Sequence, residues 1–472
     1  MNTHKSVTNE LLRLFVCGLL CCATLIAGDA LADMDITVLT GATLFDGSGA
    51  PPLTNAVVVV RDDRIADIGP LGQVPIPSGA VVTDLRGKWI LPGLVDAHVH
   101  FFQSGGLYTR PDVIDLRHVR PYDIEIATIR RQLPATLTRY TRSGVTSVVD
   151  LAGPAWTYEL RRLTYGSAAS PRVALAGPGL APALQPGLDG EHAPAIVVRT
   201  PAQARRAVRS LASDRPDLLK IWFALTPKLD PEREFRWVYA AIDEAHKLGL
   251  RVAVHATKLE LAREMVRAGV DILVHSIDDE LIEPELLSLM RARGVLYIPT
   301  LGVGRRYAEV LGQQLALSPF EKAMADSDVI ASFDDLRWLN RGRTSKRRLP
   351  DNRIANENLL RVHRAGIQIA AGSDAGNIGS LHGPGLHREL ELMVGAGLTP
   401  TQVLLSATRN GAAVMGRGNE LGRLQPGMLA DLLVLDSDPL ADIRNTENIV
   451  LVIKGGQILH CDTKTLPAGC PE

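Results

Sequence analysis

The chain has 472 residues, room for one large domain and a smaller one, and a formal net charge of −1. That balance removes the electrostatic case for a nucleic-acid partner. With 46% hydrophobic but only 4% aromatic residues, the protein is expected to be globular with an aliphatic core.

At the N-terminus Lys5 and Arg13 precede an apolar run over 14–26, followed by Ala30-Leu31-Ala32. This layout predicts a secretory signal peptide over 1–32, cleaved before Asp33, and a secreted or periplasmic mature protein. The run is short for a membrane span, so no stable anchor is expected after cleavage. Once Cys17, Cys21 and Cys22 leave with the leader, Cys461 and Cys470 are the remaining cysteines. In an oxidising compartment they are expected to pair and pin the C-terminal tail; two free thiols are the alternative.

Residues 36–90 read as short β-branched strands at 36–39, 56–61, 64–68 and 81–84, punctuated by turns such as Asp46-Gly47-Ser48-Gly49. The C-terminus has the same texture, with strands at 430–435, 449–453 and 457–459 and a hairpin turn at Lys454-Gly455-Gly456. One small β-domain built from segments 33–90 and 421–472 is expected. Between them, over 91–420, strands alternate with helices. The candidate strands are 95–100, 145–150, 173–176, 218–222, 251–255, 272–275, 295–299 and 368–374. Helical apolar spacing falls at 202–212, 234–247, 260–268, 283–293 and 353–365. Gly249, Gly269, Gly294 and Gly366 follow as C-terminal caps. This count suits a (β/α)8 barrel, with a doubly wound open sheet as the alternative. A long loop over 300–352 is expected, with a basic run at 341–348. Such a run reads as a solvated face, or as a lid that attracts an anion.

The chemistry begins at Pro92-Gly93-Leu94-Val95-Asp96-Ala97-His98-Val99-His100. Alternate residues of a strand point to one side, so His98 and His100 make a half-site for a divalent metal. A lone pair of this kind is weak evidence. Its weight comes from further ligand-type residues at later strand ends: Lys220, His255, His275 and Asp374. In a barrel these ends form the catalytic rim. Lys220 lies in an apolar strand, where an unpaired ammonium is rare. His118, His192, His246, His363 and His460 read as surface or core histidines, and His387 belongs to the helix after strand eight. No Gly-x-Ser-x-Gly elbow, His-Glu-x-x-His or phosphate loop occurs.

These residues resemble the amidohydrolase superfamily, in its metal-dependent dipeptidase and prolidase-like, imidazolonepropionase-related branch. The resemblance is carried by Leu91 to His100, Lys220, His255, His275 and Gly372-Ser373-Asp374-Ala375-Gly376. It is also carried by His382-Gly383-Pro384-Gly385-Leu386-His387 and Leu424-Gln425-Pro426-Gly427-Met428-Leu429-Ala430-Asp431. It implies a (β/α)8 barrel beside a small β-sandwich and two divalent ions, zinc favoured. His98, His100 and Asp374 would hold the more buried ion, and His255 and His275 the more exposed one. Lys220, as N6-carboxylysine, would bridge both, and Asp374 would move the proton. His382 is a candidate substrate contact at the pocket mouth. The implied activity is amide hydrolysis on dipeptides, Xaa-Pro or related, or on N-acyl amino acids. A cyclic amide or lactone hydrolase is the alternative on the same centre. A secreted binding protein on a dead barrel is the rival of another class, which the full ligand set argues against. Self-association into a homo-oligomer is left open.

Overall fold

The computed structural model describes residues 36–223, 230–339 and 349–462. The leader over 1–32, the basic run at 341–348 and Cys470 lie outside the described residues. Both chain ends enter one eight-stranded sheet. Strands Ile36–Leu44, Leu53–Arg61 and Arg64–Pro70 form an antiparallel meander, and Val81–Asp84 adds parallel to the first. Trp89–Pro92 is the stitch: Ile90 pairs with Leu44 on one side and with Val434 of strand Leu432–Leu435 on the other. Strands Ile449–Lys454 and Gln457–Cys461 complete the sheet. The hairpin between them turns on Gly455 and Gly456, with φ of 53° and 75°. A two-residue turn with both φ positive matches the twist of its strands. A Cβ on Gly456 would lie 1.8 Å from the Asp62 carbonyl oxygen, so only glycine fits there.

Parallel strands follow at Leu94–Val99, Val145–Asp150, Arg172–Leu175, Leu219–Ile221, Val252–His255, Ile272–Val274 and Leu296–Ile298. Every residue of the first two is buried, as expected where helices cover one face and a packed interior the other. The third strand breaks after Leu175 and resumes at Gly179–Ala181, whose Leu180 pairs with Ile221. The eighth position departs from the sequence reading. Residues 368–374 form no continuous ladder; single bridges join Ile369 to Tyr297 and Ala375 to Val99. Backbone bonds from Ala97 N to Ala371 O (2.9 Å) and Asp374 N to His98 O (2.8 Å) close the ring. Two features interrupt the pairing. A Cβ on Gly372 would come within 2.7 Å of both His98 and Ile298, and Asp374 has φ of 53°.

The expected helices occur at Pro201–Ser213, Pro231–Lys247, Leu259–Ala268, Pro284–Arg293 and Arg353–Arg364. Three begin on a proline, whose missing N–H costs nothing in the first turn. Gly269 and Gly294 close theirs in the left-handed conformation. A further helix, Tyr122–Arg142, with Pro134 inside it, was not expected. The stretch expected as a loop is also largely helical where described, at Gly302–Leu311, Pro319–Met324, Ser327–Ser332 and Asp335–Leu339. Ser318 and Glu321 start one of these as a reciprocal cap. The last three, of five or six residues, are too short to print a helical period.

Candidate metal centre

The strand ends bring His98, His100, Lys220, His255, His275 and Asp374 together. Nε2 of His98 and Nε2 of His100 are 3.1 Å apart. They lie 3.4 Å and 3.2 Å from Asp374 Oδ1. His100 Nδ1 is 2.9 Å from the Ala152 carbonyl oxygen, which can only accept, so Nδ1 carries a proton and Nε2 is the ring atom turned toward Asp374. His100 Nε2 and Asp374 Oδ1 thus face each other at 3.2 Å, both able to turn toward one cation. Asp374 Oδ1 is buried with no hydrogen-bond partner. His98, His275 and Asp374 each offer a ligand atom, all within 4.8 Å of one another. His275 packs on His255 with ring centroids 4.3 Å apart.

Burial pushes the His98 and His255 imidazoles well below their usual range and His275 down to about 3. They are neutral at neutral pH, as metal ligands must be. Lys220, 3% exposed within Leu219–Ile221, is pushed down to about 8 by burial, against the attraction of Asp374. That shift raises the share of unprotonated amine, the form that can react to give a carbamate. The donor set therefore fits divalent metal.

Supporting contacts fix these groups. Asp96 accepts from Ser373 N (2.9 Å), from Ser373 Oγ and from His98 N (3.3 Å), tying the first strand to the eighth segment. His275 Nδ1 is 2.7 Å from Thr300 Oγ1. Glu389 accepts from Leu301 N (2.7 Å) and Gly302 N (2.9 Å), holding the segment that carries Thr300. Ala152, His275, Thr300 and Asp374 all take positive φ, of 131°, 76°, 45° and 53°. Strain of about 1–3 kcal/mol at each is tolerated where the surroundings over-determine the backbone, as at functional sites.

A cavity of about 340 Å³ opens onto His100, Lys220, His255, His275 and Asp374. Phe102, Trp222, Val303 and Tyr307 make much of its remaining wall apolar. His382 is not on this wall. Tyr140 Oη donates to its Nδ1 (2.8 Å), its Nε2 donates to the Gln103 carbonyl (2.8 Å), and it stacks on Phe101. It borders a separate, smaller cavity beside helix Tyr122–Arg142. The expected substrate contact is therefore a satisfied core histidine. His387 lies in Gly385–Gly395, as expected. Cys461 ends the last strand, while its expected partner Cys470 lies outside the described residues.

Sequence reasoning missed Asp96, Arg110, Thr300, Tyr307 and Asn377. Asp96 stood inside the motif between the apolar residues and could have been found. Arg110 is one of 51 lysines and arginines, in a loop without a motif.

Three comparisons bear on this geometry. The sequence profile of the amidohydrolase family matches residues 89–459. An ochratoxinase from Aspergillus niger is 25% identical over 474 residues, covering 90% of this chain and 86% of that protein. An imidazolonepropionase from Cutibacterium acnes is 25% identical over 429 residues, covering 88% and 93%. The crystal structure of a Xaa-Pro dipeptidase with bound methionine in its active site superimposes with a TM-score of 0.67 at 24% identity. It covers 90% of this chain and 99% of that one, a likeness of fold.

Proposed function

This chain belongs to the amidohydrolase family, as a hydrolase of amide bonds, and from that premise we propose a binuclear metal enzyme for dipeptides, Xaa-Pro or related, or N-acyl amino acids. The observation that carries the reading is the convergence of three histidines, Asp374 and buried Lys220 on one cavity end, with His98 packed behind His100. Three ligand atoms within 4.8 Å of one another support one ion. The buried lysine supports the second, because as a carbamate its side chain would offer anionic oxygens to cations that an ammonium would repel. Zinc suits a set of imidazole and carboxylate donors. Bound metal would acidify water and polarise the scissile carbonyl.

The protein's own groups do the rest. His100 keeps its proton on Nδ1, against the Ala152 carbonyl, so Nε2 stays a donor atom. Asp374, fixed by its backbone bond to His98, accepts a proton on its carboxylate and returns it to the departing amine. The aromatic wall excludes water around the substrate. Export with cleavage before Asp33 belongs to the same reading, and N-terminal sequencing of the mature protein checks it.

The deciding experiment is a screen of metal-loaded protein against dipeptides and N-acyl amino acids, with elemental analysis. About two divalent ions per chain and turnover of linear amides are expected. Activity confined to cyclic amides or lactones overturns the substrate class, and full activity at one ion overturns the binuclear centre.

A further inference from the structure

The helix Gly302–Leu311 starts at Leu301, whose side chain cannot cap it. Other helices of this chain begin on caps of their own, at Thr200, Ser318 and Thr399. Here the acceptor is supplied by Glu389, 88 residues further along, on the helix Gly385–Gly395. One carboxyl oxygen takes Leu301 N at 2.7 Å and the other takes Gly302 N at 2.9 Å. Glu389 is 1% exposed. Burying an ionisable carboxyl group costs more than a local serine or threonine cap, which would satisfy an amide as well. What the distant side chain adds is position, because it pins the start of one helix to the flank of another. Glycine at 302 permits the approach: a Cβ there would lie 3.3 Å from Glu389 Oε2 and 3.4 Å from Leu392 Cδ1.

The pinned helix meets the metal centre at two points. Just before it, Thr300 Oγ1 lies 2.7 Å from His275 Nδ1. A histidine that holds metal through one nitrogen is oriented by a partner on the other, so Thr300 keeps Nε2 for the cation. Thr300 has φ of 45°, a backbone that its surroundings must hold, and the next two amides are the ones Glu389 takes. Further along, Tyr307 donates to Asn377 Oδ1 at 2.6 Å, and Asn377 Nδ2 donates to the Asp374 carbonyl at 3.1 Å. Arg110 Nη1 donates to the Tyr307 hydroxyl (2.8 Å) and to Asn377 Oδ1, closing that contact. Val303 and Tyr307 of the same helix are part of the cavity wall. A shift at the helix start is therefore felt at His275, at Asp374 and on the wall together.

We propose that Glu389 is a positioning residue of the metal centre, which sets metal affinity and the stance of the Val303–Tyr307 wall by holding the start of this helix. The role rests on the metal-centre reading of the chain and deepens it.

Zinc dissociation, measured by chelator competition, is compared in wild type, Glu389→Gln, Thr300→Val, Thr300→Ser and the double variant Glu389→Gln/Thr300→Val. Glu389→Gln turns an amide N–H against a backbone N–H and should weaken zinc binding about 10- to 100-fold. Thr300→Val should do the same, while Thr300→Ser keeps the hydroxyl and should stay within about threefold of wild type. The double variant should be no weaker than the weaker single one, since both changes cut one path. At saturating zinc, Glu389→Gln should still raise KM for a linear amide about fivefold, with kcat falling less, because the wall has moved. Wild-type zinc affinity in Glu389→Gln, with only its urea stability lowered, makes it a residue of the fold and overturns the proposal. Additive losses in the double variant overturn the path through Thr300, and an unchanged KM overturns the role at the wall. Where Glu389→Gln fails to fold, Glu389→Asp takes its place, because a shorter side chain pulls on the same two amides and should weaken zinc in the same direction. Zinc binding needs no substrate. Absence of turnover on every linear amide therefore overturns the hydrolase reading and leaves the zinc cycle to decide Glu389, whereas a wild type that binds no zinc overturns both.

Discussion

Lys220 and His382 are both buried, one on the wall of the candidate metal cavity and the other with both ring nitrogens hydrogen-bonded in the core. Burial moves both toward the neutral form. Lys220 shares the cavity wall with His100, His255, His275 and Asp374, so on the binuclear proposal Lys220→Ala should lose one or both metals and nearly all turnover in elemental analysis and rate assays. Acetate or propionate added with metal should restore part of the rate by filling the bridge. Lys220→Arg should not substitute, since a guanidinium stays cationic; normal metal content in that variant would remove Lys220 from the site. His382 instead spends both nitrogens on Tyr140 and Gln103. Burial, opposed by the Gln103 bond, lowers it to about 4. The unfolded chain, near 6.5, binds the extra proton between those values, so stability falls as pH drops from 6.5 toward 4. The loss is about 3 kcal/mol from this group. His382→Gln should be less stable than wild type at pH 7, with the gap closing by pH 4.5 in urea unfolding, and KM should change less than twofold. Parallel pH curves would show that the imidazole is not what titrates.

Helices and strands follow from local signals where these are long enough to repeat. Proline opens the helices after the third, fourth and sixth strands, and glycine follows those after the fourth, fifth and sixth. Gly294 has φ of 66° and open space around its missing Cβ. Gly294→Ala should therefore cost about 1 kcal/mol through the backbone alone. Urea unfolding should read this with metal content and kcat unchanged; a neutral result would mean the cap relaxes. The eighth strand was placed correctly along the chain but not in character. Its ladder breaks because Gly372 and Asp374 serve the site rather than the sheet. Helix Tyr122–Arg142 and the short helices over 302–339 escaped notice. The first has Pro134 in its interior, those over 319–339 span too few turns for apolar periodicity, and Gly302–Leu311 opens on Gly-Val-Gly without a side-chain cap of its own.

At the scale of the molecule, the sheet from both chain ends is locked to the barrel by Arg172 at the start of the third strand. Its guanidinium donates to Asp431 Oδ2 and Oδ1 at 2.9 Å and 3.0 Å, and the same carboxylate accepts from Gly455 N at 2.8 Å. Asp431 is 4% exposed, so Asp431→Asn breaks a largely buried pair. A loss of about 2–4 kcal/mol is expected in urea unfolding. Unchanged stability would show that apolar packing of the sheet suffices. The sequence by itself determined the barrel's alternation, the joining of both ends in one β-unit, and the candidate residues that meet at the strand ends. Those features rest on period-2 and period-3.6 patterning and on residue types at strand ends, which are local and repeated. Only the tertiary structure decided that His382 is a core residue, that Thr300 backs His275, and that Arg110, Tyr307 and Asn377 meet beside Asp374. These residues come from loops and from different elements far apart in the chain. No periodicity links them, and their partnership arises when closure of the barrel sets their backbones side by side.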